Sequence, residues 1–184
     1  MAVRIKTKRL ILRSAEMRDA ADITRNINDL AVSRYTAHIP FPYTIKDAED
    51  FIRRSRRREK QKLVTDLNFV IEHRARKQVI GCVGFTRIDR FTGKVDIGYW
   101  LGKEYWRQGL GVEAVGALVK FAFTKLKLQR LEAPIYRENR ASQGLVKKLG
   151  FKKEGVRRKA SRARATGELH DVAIYALLKV DRGK

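Results

Sequence analysis

Three apolar segments, Leu67–Glu72, Val79–Ile88 and Lys94–Leu101, follow one another with only the polar turns His73–Lys77 and Arg90–Gly93 between them. Links this short join antiparallel strands, because a parallel return needs a crossover of a dozen residues or more. An antiparallel meander therefore occupies the middle of the chain, and the remaining elements must pack on it. After Leu101 the period changes. Val112, Val115, Leu118, Val119, Ala122 and Leu126 recur at helical spacing, which predicts a helix over Val112–Leu126. Gly116 inside it costs about 1 kcal/mol relative to alanine unless close packing needs it.

On either side the patterns are shorter. Lys8–Arg13 reads as a strand with Leu10 and Leu12 on one face, followed by an amphipathic helix from Met17 to near Asn28. Thr44 and Asp47 form a capping box in which Asp replaces the usual Glu, predicting a helix from Ile45 to near Gln61. Strands follow at Arg130–Tyr136, Phe151–Arg158 and Leu169–Leu178, with a short helix over Arg140–Leu149 stopped by Gly150. No repeat, low-complexity linker or boundary interrupts the 184 residues, so one α+β domain over 1–184 is expected.

Composition narrows the function. With 43% apolar residues the chain can bury a core, which excludes disorder. One cysteine, Cys82, cannot make an internal disulfide and reads as core filler. With only His38, His73 and His170 besides, there is no Cys/His zinc site and no metal is expected. Neither a membrane-spanning apolar run nor a signal pattern at Met1–Lys8 is present, so a soluble cytoplasmic protein without membrane attachment is expected. The net charge of +22 points to an acidic partner or a polyanionic cofactor. Its densest runs, Arg53–Lys62 and Arg157–Lys159 with Arg162 and Arg164, are read either as solvated faces or as a docking surface. Adaptation to heat would enrich charge as well and says nothing of function.

Trp106-Arg107-Gln108-Gly109-Leu110-Gly111-Val112 separates the strand ending at Leu101 from the following helix. Glycines let successive N–H groups converge, and a helix N-terminus adds about half a positive charge, so a phosphate or diphosphate is the natural occupant. Gly109-x-Gly111-x-x-Ala114, with Glu132 about twenty residues on, also fits a dinucleotide fingerprint. Three features oppose that fold: Gly102–Gln108 intervene between strand and turn, the preceding strands form an antiparallel meander, and the chain has no room for repeated crossovers.

Thr7–Arg13, Asp96–Leu101, the Arg107–Val112 turn, Asn139-Arg140-Ala141-Ser142 with Leu149-Gly150-Phe151, and His170–Tyr175 stand in order along nearly the whole chain. Together they resemble the GNAT superfamily of acyl-CoA-dependent N-acetyltransferases, and within it the Rim-type branch that acetylates ribosomal-protein N-termini. The resemblance implies a central twisted sheet, mixed but mostly antiparallel, of six to seven strands with about four flanking helices. It also implies that the fourth and fifth strands, Lys94–Leu101 and Arg130–Tyr136, splay apart. Acetyl-CoA, as acyl donor, would lay its pantetheine beside Tyr99, Trp100 and Leu101. Its diphosphate would rest on the N–H groups of Arg107, Gln108, Gly109, Leu110, Gly111 and Val112, and Asn139 would fix the cofactor near the pantetheine. Lys103 and Arg107 would add phosphate attraction. Where the family often has Gln or Arg at the start of the turn motif, this chain has Trp106.

The chemistry the resemblance implies is direct attack of a neutral amine on the thioester. It needs a deprotonated amine, donors for the tetrahedral oxyanion and a proton for the leaving thiolate. Main-chain N–H groups near Trp100–Leu101 are expected at the oxyanion. Ser142 is expected as proton donor, with capping of the short helix as its structural alternative. Glu132, Asp96 and Glu138 are the acids available as base, and Glu132 has Arg130 as an equal claim on it. Relatives carry a glutamate after the sixth strand, where this chain has Lys159-Ala160-Ser161-Arg162. An α-amine of pKa about 8 is roughly a tenth neutral at pH 7, whereas a lysine amine near about 10.4 costs about 4 to 5 kcal/mol to deprotonate. An ill-defined base thus suits a protein N-terminus, with a small-molecule amine or a catalytically inactive nucleic-acid-binding module as alternatives. An acidic protein or the ribosome is the expected partner, and a homodimer is left open.

Overall fold

A computed structural model describes residues 3–61 and 65–182. Its strands are β1 (Arg4–Lys6), β2 (Leu10–Arg13), β3 (Leu67–His73), β4 (Gln78–Asp89), β5 (Lys94–Leu101), β6 (Arg130–Tyr136), β7 (Lys152–Arg162) and β8 (Leu169–Leu178). They form one eight-stranded sheet in the order β1-β2-β3-β4-β5-β6-β8-β7. Five α-helices accompany it among the described residues: α1 (Ala20–Ile27), α2 (Leu30–Ser33), α3 (Ile45–Glu59), α4 (Leu110–Thr124) and α5 (Arg140–Lys148). Every neighbouring pair is antiparallel except β5 and β6, so the sheet is mixed and mostly antiparallel as expected.

The sheet has one more strand, and the molecule one more helix, than the sequence suggests. Both extra elements, β1 and α2, are too short to display a period. The first turn of α2 is held by Asp29, whose side chain accepts from the Ala31 N–H at 2.8 Å. At α3 the capping box forms: Thr44 Oγ1 accepts from the Asp47 N–H at 3.2 Å, and Asp47 Oδ2 accepts from the Thr44 N–H at 2.9 Å. Lys62 of the first basic run lies outside the described residues.

Strand alternation separates two large apolar clusters on opposite faces of the sheet, beside a small third one of Tyr136, Ala163, Val172 and Ile174. Leu10, Leu12, Phe69, Phe85, Val95 and Leu131 pack against Leu110, Leu118 and Ala122 of α4 on one face. On the other, Val70, Val79 and Cys82 meet Ile23, Ile27 and Ile52 of α1 and α3. Each fully buried Leu or Ile contributes about 1.5–3 kcal/mol relative to exposure. Cys82 fills this second core, and burial pushes its thiol well above the ordinary range, as expected of filler. Arg13 ties the sheet to the start of α1: its guanidinium donates to both Asp19 oxygens, at 2.7 and 2.8 Å, and to Glu72 at 2.6 Å.

What positions the site is a divergence between β5 and β6. They pair in parallel at Lys94–Arg130, Val95–Leu131 and Asp96–Glu132 and then part, although β5 continues to Leu101 and β6 to Tyr136. Over its whole length β6 follows β8 instead. Pairing stops just before Pro134, which has no N–H to give a ladder. The predicted splay is therefore present.

Candidate active site

The free edge of β5 can be phased from its other side. The Gly102 N–H donates to the Ile80 carbonyl of β4 at 2.9 Å, and Cys82–Trp100 and Gly84–Gly98 are in register. Antiparallel alternation then turns the main-chain groups of Gly98 and Trp100 toward β4 and those of Tyr99 and Leu101 into the gap. Of those gap-facing groups, the Leu101 carbonyl is already taken by the Trp106 indole N–H at 2.8 Å. The unusual Trp106 thus closes one acceptor and leaves the Leu101 N–H and both Tyr99 groups facing the gap.

Beyond Leu101 a short 3-10 turn, Lys103–Tyr105, delivers the chain to the glycine turn. Arg107 and Gly109 both adopt positive φ, 59° and 74°. Only glycine takes that conformation cheaply, so Gly109 is fixed by geometry, while Arg107 carries some strain. Helix α4 begins at Leu110, and its first intrahelical bond runs from the Glu113 N–H to the Gly109 carbonyl. Among the described residues no protein group accepts from the N–H groups of Arg107, Gln108, Gly109, Leu110, Gly111 or Val112. An ideal Cβ on Gly111 would lie 2.7 Å from Leu145 Cδ1 and 3.4 Å from Leu101 Cδ1, so its bareness lets β5, α4 and α5 meet.

Between them these elements enclose a cavity of about 520 Å³, in the range of small-ligand sites. Tyr99, Trp100, Leu101, Arg107, Gly109, Gly111, Val112, Asn139 and Ser142 all line it. Two of the expected turn residues do not. Leu110 is buried in the core, and Gln108 turns away, its amide donating to the Glu104 carbonyl at 2.7 Å. The wall also contains Tyr35 and Thr36 from the segment after α2, and Arg140 and Lys148 from the two ends of α5. These four escaped sequence reading. The spacing of Arg140, Gly144 and Lys148 along one side of a helix was the available signal for the last pair. Lys103 is not in the lining and faces Asp29 at 3.6 Å.

Asn139 caps α5: its Oδ1 accepts from the Ser142 N–H at 3.0 Å. Ser142 is therefore capped and is not itself the cap. Its hydroxyl is free to meet the Tyr99 hydroxyl at 2.7 Å inside the cavity. Burial pushes the Tyr99 phenol up to about 12, against the opposing pull of the Ser142 hydrogen bond. The phenol stays protonated at neutral pH.

The two carboxylates read from the sequence stand elsewhere. Asp96 and Glu132 are buried at the last paired position of the wedge, and neither lines the cavity. Asp96 is ion-paired with Arg87. Glu132 faces Arg130 at 2.8 Å and Lys94 at 3.1 Å. Burial alone would raise the Glu132 carboxyl, but those two cations hold it below the usual carboxylate range. Glu138 points to His170 Nδ1 at 3.3 Å, and His170 stacks on Tyr136. The cavity lining contains cations and hydroxyls and, among the described residues, no carboxylate.

Comparison with known proteins agrees with this architecture. The model of the acetyltransferase (GNAT) domain family matches residues 9–152. The N-acetyltransferase p20 of Bacillus licheniformis is 36% identical over 180 residues, covering 94% of each chain. Among solved structures, RimJ of Mycobacterium smegmatis in complex with CoA-disulfide superposes with a TM-score of 0.85, over 100% of this chain and 89% of that one, at 20% identity. The ribosomal-protein-S5-alanine acetyltransferase of Vibrio fischeri gives 0.82 over 96% of both chains at 21% identity. At that level of identity the two structures speak for the fold. With the family model covering most of its length, the chain belongs to the GNAT acetyltransferases, enzymes that take their acyl group from acetyl-CoA.

Proposed function

We propose that the protein transfers the acetyl group of acetyl-CoA to the α-amine of a protein N-terminus, as a Rim-type acetyltransferase of the cytoplasm. The observation that carries this reading is a set of main-chain N–H groups without a protein acceptor among the described residues, those of Arg107, Gly109, Gly111 and Val112, in the wall of a cationic cavity that also holds the Ser142–Tyr99 pair. Diphosphate neutralises the helix start and satisfies those donors, which a neutral ligand would leave unpaired. Pantetheine amides then pair with the gap-facing groups of Tyr99, and Asn139 lies alongside.

The acceptor follows from what the cavity lacks. With no carboxylate in its wall among the described residues, the amine must arrive neutral, which an α-amine does readily and a lysine side chain does not. Attack on the thioester carbon develops an oxyanion within reach of the β5 edge, where the Leu101 N–H, rather than that of Trp100, faces the gap. Collapse breaks the C–S bond; the Ser142 hydroxyl supplies a proton to the departing thiolate, and the proton shed by the attacking nitrogen returns through the Tyr99 hydroxyl to Ser142, so that both hydroxyls end protonated. Asp96 and Glu132 serve the fold in this scheme, their charges spent on Arg87, Arg130 and Lys94. The basic outer strand, where Arg157 and Arg158 have no ion-pair partner among the described residues, suits an acidic protein or a ribosomal surface.

A panel of peptides differing in N-terminal residue, assayed with acetyl-CoA by mass spectrometry beside their Nα-blocked, lysine-containing counterparts and free small amines, tests the acceptor. Acetylation of free N-termini alone is expected. Modification confined to lysines or to small amines would contradict it.

A further inference from the structure

Arg9, on the approach to β2, reaches the glycine turn from outside the cavity. Its Nη1 donates to the Gln108 carbonyl at 2.9 Å. The Gln108–Gly109 peptide is trans, and in a trans peptide the carbonyl and the following N–H point in opposite directions. A carbonyl captured by Arg9 on the outer side therefore aims the Gly109 N–H inward. Gly109 is a lining residue and Gln108 is not, which is the same orientation seen from the cavity.

Arg9 is itself held at several points. Its Nε donates to Glu113 Oε2 at 2.7 Å, and its main-chain N–H donates to Glu113 Oε1 at 2.7 Å. Thr7 Oγ1 donates to the same Oε1 at 2.7 Å. Burial works against the charge on Glu113, but Thr7 and Arg9 outweigh it and hold the carboxyl below the usual range. Glu113 lies in the first turn of α4, so one carboxylate locks the start of the sheet to the start of the helix whose N–H groups face the cavity. Neither Arg9 nor Glu113 lines the cavity.

We propose that Arg9, locked by Glu113 and Thr7, is a positioning residue of the cofactor site that orients the Gly109 amide toward the diphosphate. The inference rests on the assignment of the turn to the diphosphate, and ligands of graded length separate the two claims.

Calorimetry on the full chain compares CoA, 3′-dephospho-CoA and pantetheine. Wild type is expected to bind both diphosphate ligands far more tightly than pantetheine. Arg9→Met and the isosteric Glu113→Gln should each weaken CoA and 3′-dephospho-CoA by about tenfold while leaving pantetheine within about twofold. Arg9→Lys should fail to rescue, because an ammonium cannot bridge the Glu113 carboxylate and the Gln108 carbonyl as a planar fork does. Equal weakening of all three ligands would reduce Arg9 to scaffolding and overturn the proposal, as would unchanged affinity for CoA in Glu113→Gln. Wild type that binds pantetheine as tightly as CoA would instead overturn the assignment of the turn.

Discussion

Ser142 and Tyr99 show how a side chain's role follows from who caps whom. Because Asn139 supplies the cap of α5, the Ser142 hydroxyl is released to the cavity, where a protonated phenol backs it. Ser142→Ala should lower turnover about a hundredfold with nearly unchanged acetyl-CoA affinity, the usual size of a lost proton donor. Turnover of wild type should rise with pH and level off above the α-amine pKa of about 8, as the acceptor loses its proton. Steady-state kinetics between pH 6 and 9 checks both, and full turnover of the variant across that range would remove Ser142 from the chemistry. The serine's place in the cavity was legible from the sequence through Asn139-Arg140-Ala141-Ser142. Its partner was not, since Tyr99 was placed beside the pantetheine and its hydroxyl contact spans two elements. Asp96 and Glu132 mark the opposite limit: a strand carboxylate near a cleft reads as a base until its cations are known. Arg87 reaches Asp96 only because β4 bulges there, with Arg87 itself at positive φ.

Among elements, the meander and the long helices were legible because their periods run over several repeats. β1 and α2 were not, being shorter than one informative period. The wedge was written in the chain at Pro134, yet a single proline within a predicted strand does not say which neighbour it abandons. It leaves β5 and keeps β8. A different element-scale lesson comes from Arg13, the last residue of β2, whose guanidinium holds Asp19 at the start of α1 and Glu72 on β3 in a largely buried cluster. Removing one member leaves the cation short of a partner. Asp19→Ala should therefore cost about 3 to 5 kcal/mol and lower the melting temperature by roughly 10 °C, measured by calorimetric unfolding. A loss below about 1 kcal/mol would show that the cluster is hydrated and contributes little.

At the scale of the whole molecule, charge and topology act on the same ligand. The net charge of +22 draws polyanions from a distance, and screening by salt weakens that attraction beyond about 10 Å at 0.1 M. Near the site the lining cations Arg107, Arg140 and Lys148 and the start of α4 take over. The basic balance was legible at once, whereas its allocation was not. Arg53 is neutralised by Glu49 and Asp50 on its own helix, and Arg58 by Asp66, while the exposed strand β7 keeps Arg157 and Arg158 unpaired among the described residues. That difference appears only once the fold brings the acids into place. The cofactor binding that unites these features is best tested by residue-resolved amide hydrogen exchange with and without acetyl-CoA. Protection should rise at Tyr99, at Leu101 and along Gly109–Val112, while Gly98 and Trp100, already bonded to β4, stay unchanged. Exchange at Tyr99, Leu101 and Gly109–Val112 that is unaltered by saturating acetyl-CoA would contradict a cofactor seated in the wedge with its diphosphate on the helix start.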